Sequence, residues 1–175
     1  MEIELIIIIV SILLSAFFSG MEIAFVSANK MHIELEKKRE GFIARILSKI
    51  TQKSSKFITT MLVGNNISLV IYSYYMGKFS LRMLPLNSIN DFSVLLIQTI
   101  ISTIVILVTA EFLPKALFRI YANEALKVFA IPAYIFYYLF HFFSEFISII
   151  SDFFLRVFFK TIADEYQSEF IKDVL

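Results

Sequence analysis

The sequence predicts an all-α membrane protein: three transmembrane helices and, on the cytosolic side, a belt of juxtamembrane amphipathic helices. Three observations carry that reading. Hydrophobic residues make up 58% of the 175, with 20 Phe, and the mean hydropathy is +0.78, a composition that soluble domains of this length do not have. Uncharged apolar runs recur at the length of a bilayer span, about 20 residues. The charges, which sum to only +1, are clustered, and that clustering is a topology signal.

The first run covers residues 5–26 and is interrupted only by Glu22. A cleaved signal peptide would begin with Lys or Arg, whereas Glu2 and Glu4 precede this run, so it reads as a span. Residues 30–56 follow, with eight basic side chains against three acidic ones. The positive-inside rule places that loop in the cytosol, the N-terminus outside and, after three spans, the C-terminus in the cytosol. Within the loop, Phe42, Ile43, Ile46, Leu47 and Ile50 share a helical face after a break at Gly41. Such a helix is expected to dock on the membrane surface, with packing against a cytosolic domain as the alternative.

The second span, residues 57–77, has no charge, and the third, residues 92–110, ends directly on Glu111. Residues 128–144 form a further uncharged run, broken by Pro132 and continued past Glu145 by apolar residues 146–150 and 153–155. Short, kinked and Phe/Tyr-rich, this region reads as broken helices at the interface, with a fourth span as the alternative. The lipid bilayer is therefore the first partner of the chain.

Function is carried by three polar islands within the greasy segments: residues 15–22, 64–66 and 110–115. Hydrocarbon offers carboxylates, amides and hydroxyls nothing to bond, so such groups mark candidate sites. The islands are rich in oxygen and hold no thiol or imidazole, which suits a hard cation such as Mg²⁺. Ser15, Ser19 and Glu22 share one face of the first helix, although small residues also serve helix packing and Glu22 could pair with a Lys at the boundary. Asn65 and Asn66 lie near the middle of the second span, where both cannot face lipid; interhelical hydrogen bonding would also account for them. Pro114 has no N–H for the carbonyl of Ala110, so a helix running through it frees that oxygen beside Glu111 and is expected to kink. The competing reading pairs Glu111 with Lys115 at i+4.

Other chemistries find no foothold. The chain has no Cys, hence neither disulfides nor a thiolate metal site. His32 and His141 lack metal-type spacing and read as structural. No phosphate-binding Gly-rich loop, HExxH or GxSxG occurs, so an enzyme is not expected. No soluble basic platform for nucleic acid is present either.

Ser15-Ala-Phe-Phe-Ser-Gly-Met-Glu-Ile-Ala-Phe25, Thr59-Thr-Met-Leu-Val-Gly-Asn-Asn-Ile67 and Ala110-Glu-Phe-Leu-Pro-Lys-Ala-Leu117 resemble, in kind and order, the signature stretches of the transmembrane domain of the CorC/CNNM (cyclin M) magnesium transporter family. The resemblance implies a homodimer that mediates Mg²⁺ efflux coupled to Na⁺. Carried over residue by residue, the ligands would be the hydroxyls of Ser15 and Ser19, the amide of Asn65 or Asn66, the Glu111 carboxylate and a nearby backbone carbonyl such as that of Ala110. A non-transporting Mg²⁺-sensing scaffold is the alternative, because it would need the same ligands. Residues 1–160 would form the transmembrane domain, and residues 161–175 a polar tail leading towards cytosolic CBS domains. ATP would act only through those domains, which are expected to be missing from a truncated or minimal member. Ala110 stands where the family often has Gly, and Met21 where many members have Ser; neither change removes a proposed ligand.

Overall fold

The computed structural model describes residues 2–83, 91–143, 145–147 and 149–150, and every regular element among them is helical. Helix α1 (Glu2–Ser27) leads through α2 (Lys30–Lys37) and α3 (Phe42–Gln52) into α4 (Ser54–Met83). The chain then forms α5 (Asp91–Ile106), a π-helical segment (Leu107–Phe112), α6 (Leu113–Ile120), α7 (Ala122–Val128) and α8 (Ala130–Leu139).

Helices α1 and α4 are antiparallel along their whole length. Arg82 meets Glu4 at one end (2.8 Å), Ser15 meets Asn65 in the middle, and the rings of Phe25 and Phe57 lie 4.7 Å apart at the other end. From Glu4 to Phe25 the helix rises about 32 Å, close to the thickness of a hydrocarbon core, about 30 Å. By length and apolarity alone, Glu2–Ser27 and Phe92–Ile120 qualify as spans. The second expected span, α4, is longer than residues 57–77, and its apolar run is diluted by Asn65, Asn66, Ser68 and several Tyr. Its place beside α1 gives it the same depth in the bilayer, because whatever thickness α1 crosses α4 crosses with it.

The third span does not stop at Ala110. It continues as one 29-residue helix to Ile120, so the kink expected at Pro114 takes the form of a widened π turn within an unbroken helix. Its α5 part touches the rest of the chain through few side chains. The buried Tyr72 hydroxyl donates to the Ser102 carbonyl (3.1 Å), and Gln98 donates to the Gly77 carbonyl (3.3 Å).

The belt gathers at the end of the bundle where α1 finishes and α4 begins. Asn29 caps α2 by accepting from the Met31 and His32 N–H groups, while its own N–H donates to Asn123 at the start of α7. Lys127 of α7 donates to Glu36 of α2 (2.5 Å). Most of the apolar face expected to dock α3 on the membrane surface is turned inward: Ala44, Ile46, Leu47 and Ile50 are buried within the protein's own core, where α3 packs against α8 and α4, while Phe42 and Ile43 stay exposed. The buried part of that face meets protein because α8 offers a complementary aromatic surface. Lys49 closes that seam by donating to the Tyr134 hydroxyl (3.0 Å).

The region after α7 is a wedge. Pro132 falls in the first turn of α8, where its missing N–H costs nothing, and the break comes at Phe140, beyond which His141–Ile147 turns away by 62°. Phe136 and Phe140 reach Phe18 in the body of α1, at 4.8 and 6.1 Å. Both ends return to the belt: Lys127 is held by Glu36, and Glu145 by Lys56 at the start of α4 (2.7 Å). Lys127 and Glu145 are thus both held at the belt end of the bundle. Residues 153–155 and the tail 161–175 lie outside the described residues.

Candidate metal site

A polar seam runs through the α1–α4 interface. Helix α1 contributes Ser11, Ser15 and Ser19; α4 contributes Thr60, Asn65 and Ser68; all six are buried. Two of these hydroxyls are satisfied within their own helix, Thr60 on the Lys56 carbonyl (2.8 Å) and Ser68 on the Gly64 carbonyl (2.9 Å). The Ser15 hydroxyl reaches across and donates to the Asn65 side-chain oxygen at 2.6 Å. The Ser19 hydroxyl is fully enclosed and has no hydrogen-bond partner among the described residues. Leaving a buried polar group unpaired costs about 1–3 kcal/mol, so Ser19 is a point where the fold has retained a polar oxygen against its own stability.

Glycines let the helices approach closely enough to build this seam. A Cβ on Gly64 would lie 2.6 Å from the Phe18 ring, and one on Gly20 would lie 2.7 Å from the Phe118 ring. Phe18 therefore presses α1 onto α4, and Phe118 brings α6 onto the other side of α1. Helix α1 is the shared strut between the second and third spans.

On that other side lie the π segment and the charges. Ala110 is fully buried, in the segment that packs against α1. In the widened turn the Leu113 N–H bonds the Val108 carbonyl, a shift of one residue from the α pattern. Pro114, next in line, can serve neither the Thr109 carbonyl in the π register nor that of Ala110 in the α register. Glu111 is half-exposed and faces Lys115 at 3.4 Å, which is the i+4 pair that the sequence offers as the competing role for this carboxylate. Glu22 of α1 lies within electrostatic reach of both Lys115 and Glu111.

Of the residues singled out in the sequence, Ser15, Ser19 and Asn65 come together in one seam, and Ala110 and Glu111 sit on the neighbouring face of the same strut. Asn66 is exposed on the surface of α4, away from Ser15. Ser11, Thr60 and Ser68 extend the seam beyond the islands; Ser11 is one turn from Ser15 and Ser68 one turn from Asn65, spacing that a search for hydroxyls in register could have caught. Among the described residues no three His, Asp or Glu side chains cluster as a metal site. A cation here would have to draw on hydroxyl, amide and carbonyl oxygens with at most a pair of carboxylates, a donor set suited to Mg²⁺ rather than to a softer metal.

Comparison with known proteins agrees with this architecture. The family model of the cyclin M transmembrane N-terminal domain matches residues 6–175. The UPF0053 inner membrane protein YfjD of Escherichia coli (strain K12) is 30% identical over 111 residues, 63% of this chain and 24% of that protein. The matched stretch is thus about a quarter of the relative's length.

Proposed function

This chain belongs to the cyclin M (CNNM) transmembrane-domain family, and from that premise we propose that it carries Mg²⁺ across the membrane through the seam between α1, α4 and the π segment. The observation that carries the proposal is the enclosed pair of Ser15 and Asn65 beside the unpartnered Ser19 hydroxyl. A seam serving only helix packing would gain stability with Ala at position 19. Ser15, Ser19 and the Asn65 amide would supply neutral oxygens; Glu111, with the backbone oxygen released at Ala110 or Thr109, would supply charge. Asn66 belongs to this set only if α4 turns or a second protomer meets it.

In the described arrangement Lys115 occupies Glu111. A divalent cation reaching Glu111 would displace that ammonium, and its departure would let the pair re-form, so Lys115 acts as a built-in competitor. The transport cycle proposed is Mg²⁺ efflux with Na⁺ as the coupling ion, in a homodimer. The apolar, largely exposed surface of Phe92–Ile120 supports a protomer or lipid contact on that side. The basic loop supports a cytosolic belt, with the N-terminus outside.

The test is Mg²⁺ flux into proteoliposomes, read with an enclosed Mg²⁺ dye, together with Mg²⁺-dependent thermal stabilisation of the purified chain. Ser19→Ala and Glu111→Gln are each expected to lower both. Binding that persists without flux in the unaltered chain would favour the sensing scaffold, and neither binding nor flux would end the ion-path reading.

A further inference from the structure

The belt holds a second polar feature that the ion path does not use. An open cavity of about 730 Å³ lies at the corner between α2 and α3, lined by Lys37, Arg39, Glu40, Gly41, Arg45 and Lys49, among others. Four cations thus face one carboxylate. Lys37 is engaged by Glu34 (2.5 Å) and Arg39 by Glu36 (3.3 Å), which leaves Arg45 and Lys49 to set the charge. Among the described residues Lys49 bonds a neutral phenol, Tyr134, and no carboxylate pairs with it, so its charge is uncompensated there. Arg45 is exposed and has no ion-pair partner among the described residues.

The start of α3 adjoins the charge. Gly41, part of the cavity lining, precedes α3 with a φ of +154° and no side chain caps the helix, so the first N–H groups of α3 have no intrahelical partner. Phe42 follows Gly41 and borders the Lys49 side of α3; it remains 64% exposed, although most of the apolar face of α3 is buried. Uncompensated cations beside an uncapped helix start and an exposed phenylalanine match a phosphate with acyl chains attached better than a soluble phosphate, which would have no use for Phe42. We propose that this corner is a binding site for the headgroup phosphate of an anionic phospholipid, with Arg45 and Lys49 as its phosphate ligands and Phe42 alongside the acyl chains.

The expected effect is selective lipid retention. Each basic residue near an anionic lipid surface contributes about fivefold in affinity, so Arg45→Gln should lower retention of phosphatidylglycerol about fivefold and Arg45→Gln/Lys49→Gln by more, whereas Arg45→Lys should keep most of it. The measurement is native mass spectrometry of the purified chain with bound phosphatidylglycerol or phosphatidylcholine. Lys30→Gln/Lys38→Gln is the control, removing two cations that do not line the cavity. Arg45 is exposed, so the single variant is expected to fold, and its thermal unfolding is compared with that of the unaltered chain. A second arm offers free pyrophosphate. Loss of phosphatidylglycerol in the Arg45 variants alone supports the site. Equal loss in the control pair, no preference over phosphatidylcholine, or Arg45-dependent binding of pyrophosphate without lipid retention would each overturn it.

Discussion

Gly64→Ala is the most direct test of the packing that holds the seam together. The new Cβ would lie 2.6 Å from two atoms of the Phe18 ring and 2.8 Å from a third, whereas carbon atoms settle at about 3.5–4.0 Å, so one partner must retreat by about 1 Å. Phe18 has little room to do so: it is 2% exposed and its ring is held by Phe17, Phe136 and Phe140. Overpacking costs about 1–3 kcal/mol, and the helix-propensity gain of Ala over Gly returns about 1 kcal/mol, which leaves a loss of up to about 2 kcal/mol. In a chain of this size that lowers Tm by up to about 8 °C. Gly77→Ala is the counterpart, since its Cβ would meet only Gln98 at 3.4 Å and the propensity gain should dominate. Gly20→Ala should fall between them, because Phe118 is only half-buried. Thermal unfolding in detergent would rank the three, and adding Phe18→Leu to Gly64→Ala should recover part of the loss. If Gly64→Ala unfolds at or above the unaltered chain, as Gly77→Ala should, then Phe18 does not set the α1–α4 distance.

Further outcomes follow from the charges. Glu111→Gln should weaken Mg²⁺-dependent stabilisation at least tenfold in midpoint concentration, on the order of the 1.4 kcal/mol that a tenfold change represents, whereas Lys115→Ala should strengthen it by removing the competitor; matching effects of the two would reduce Glu111 to a salt-bridge partner. The hydrogen bond from Lys127 holds the Glu36 carboxyl below its ordinary range, and that from Lys56 does the same to Glu145. Their stabilisation is therefore full above the ordinary carboxylate range and lost as pH falls through the lowered folded values. Hydrogen exchange across α2 and α7 should accelerate in that acid window, and Glu36→Gln should be faster at neutral pH and insensitive to acid there. Because the chain has no native Cys, a cysteine at Ser48 should resist an impermeant thiol reagent added outside intact cells; labelling there would invert the proposed orientation. Cysteines at Ser88 and Ser168, outside the described residues, should be reached from outside and shielded from it, respectively.

The architecture was legible because three signals coincided: span-length apolar runs, a basic loop, and polar islands in register on the first helix. Ser15 and Ser19 were placed correctly on the α1 face by their i, i+4 spacing, but the spacing could not reveal that Asn65, rather than Asn66, would meet Ser15. Adjacent helical residues differ by about 100° in direction, and only the packing of Phe18 on Gly64 fixes which one turns inward. Proline at 114 signalled a helix defect. The sequence could not show whether the defect would be a kink or a π turn, because that depends on the burial of Ala110 against α1. Amphipathicity likewise located α3 without saying what covers it, since an apolar face suits lipid and an aromatic wedge equally well. The broken character of residues 128–144 was legible, but the place of the break was not: Pro132 looks like a break in mid-run until the start of α8 after Phe129 places it in a first turn, and the bend falls at Phe140.

The arrangement of oxygens along α1 bears on how a cation would travel. Ser15 and Glu22 are separated by about 10 Å along the helix axis, whereas Mg²⁺ holds its ligands at about 2.1 Å, so one ion cannot bind both at once. Glu111, paired with Lys115, and Glu22, within electrostatic reach of both, lie towards the belt, and the neutral oxygens of Ser15 and Asn65 lie deeper. Ser19 stands one helical turn from Ser15 and three residues from Glu22, and it is the hydroxyl without a partner among the described residues. Under the proposed function this order has a physical logic. A charged mouth attracts a hydrated cation and helps to strip its water, while neutral ligands further in bind it weakly enough to let it go. An unpaired hydroxyl between the two can accept the ion without first breaking a hydrogen bond of its own. A scaffold would have no use for such grading and would be better served by a single site in which every oxygen is already paired.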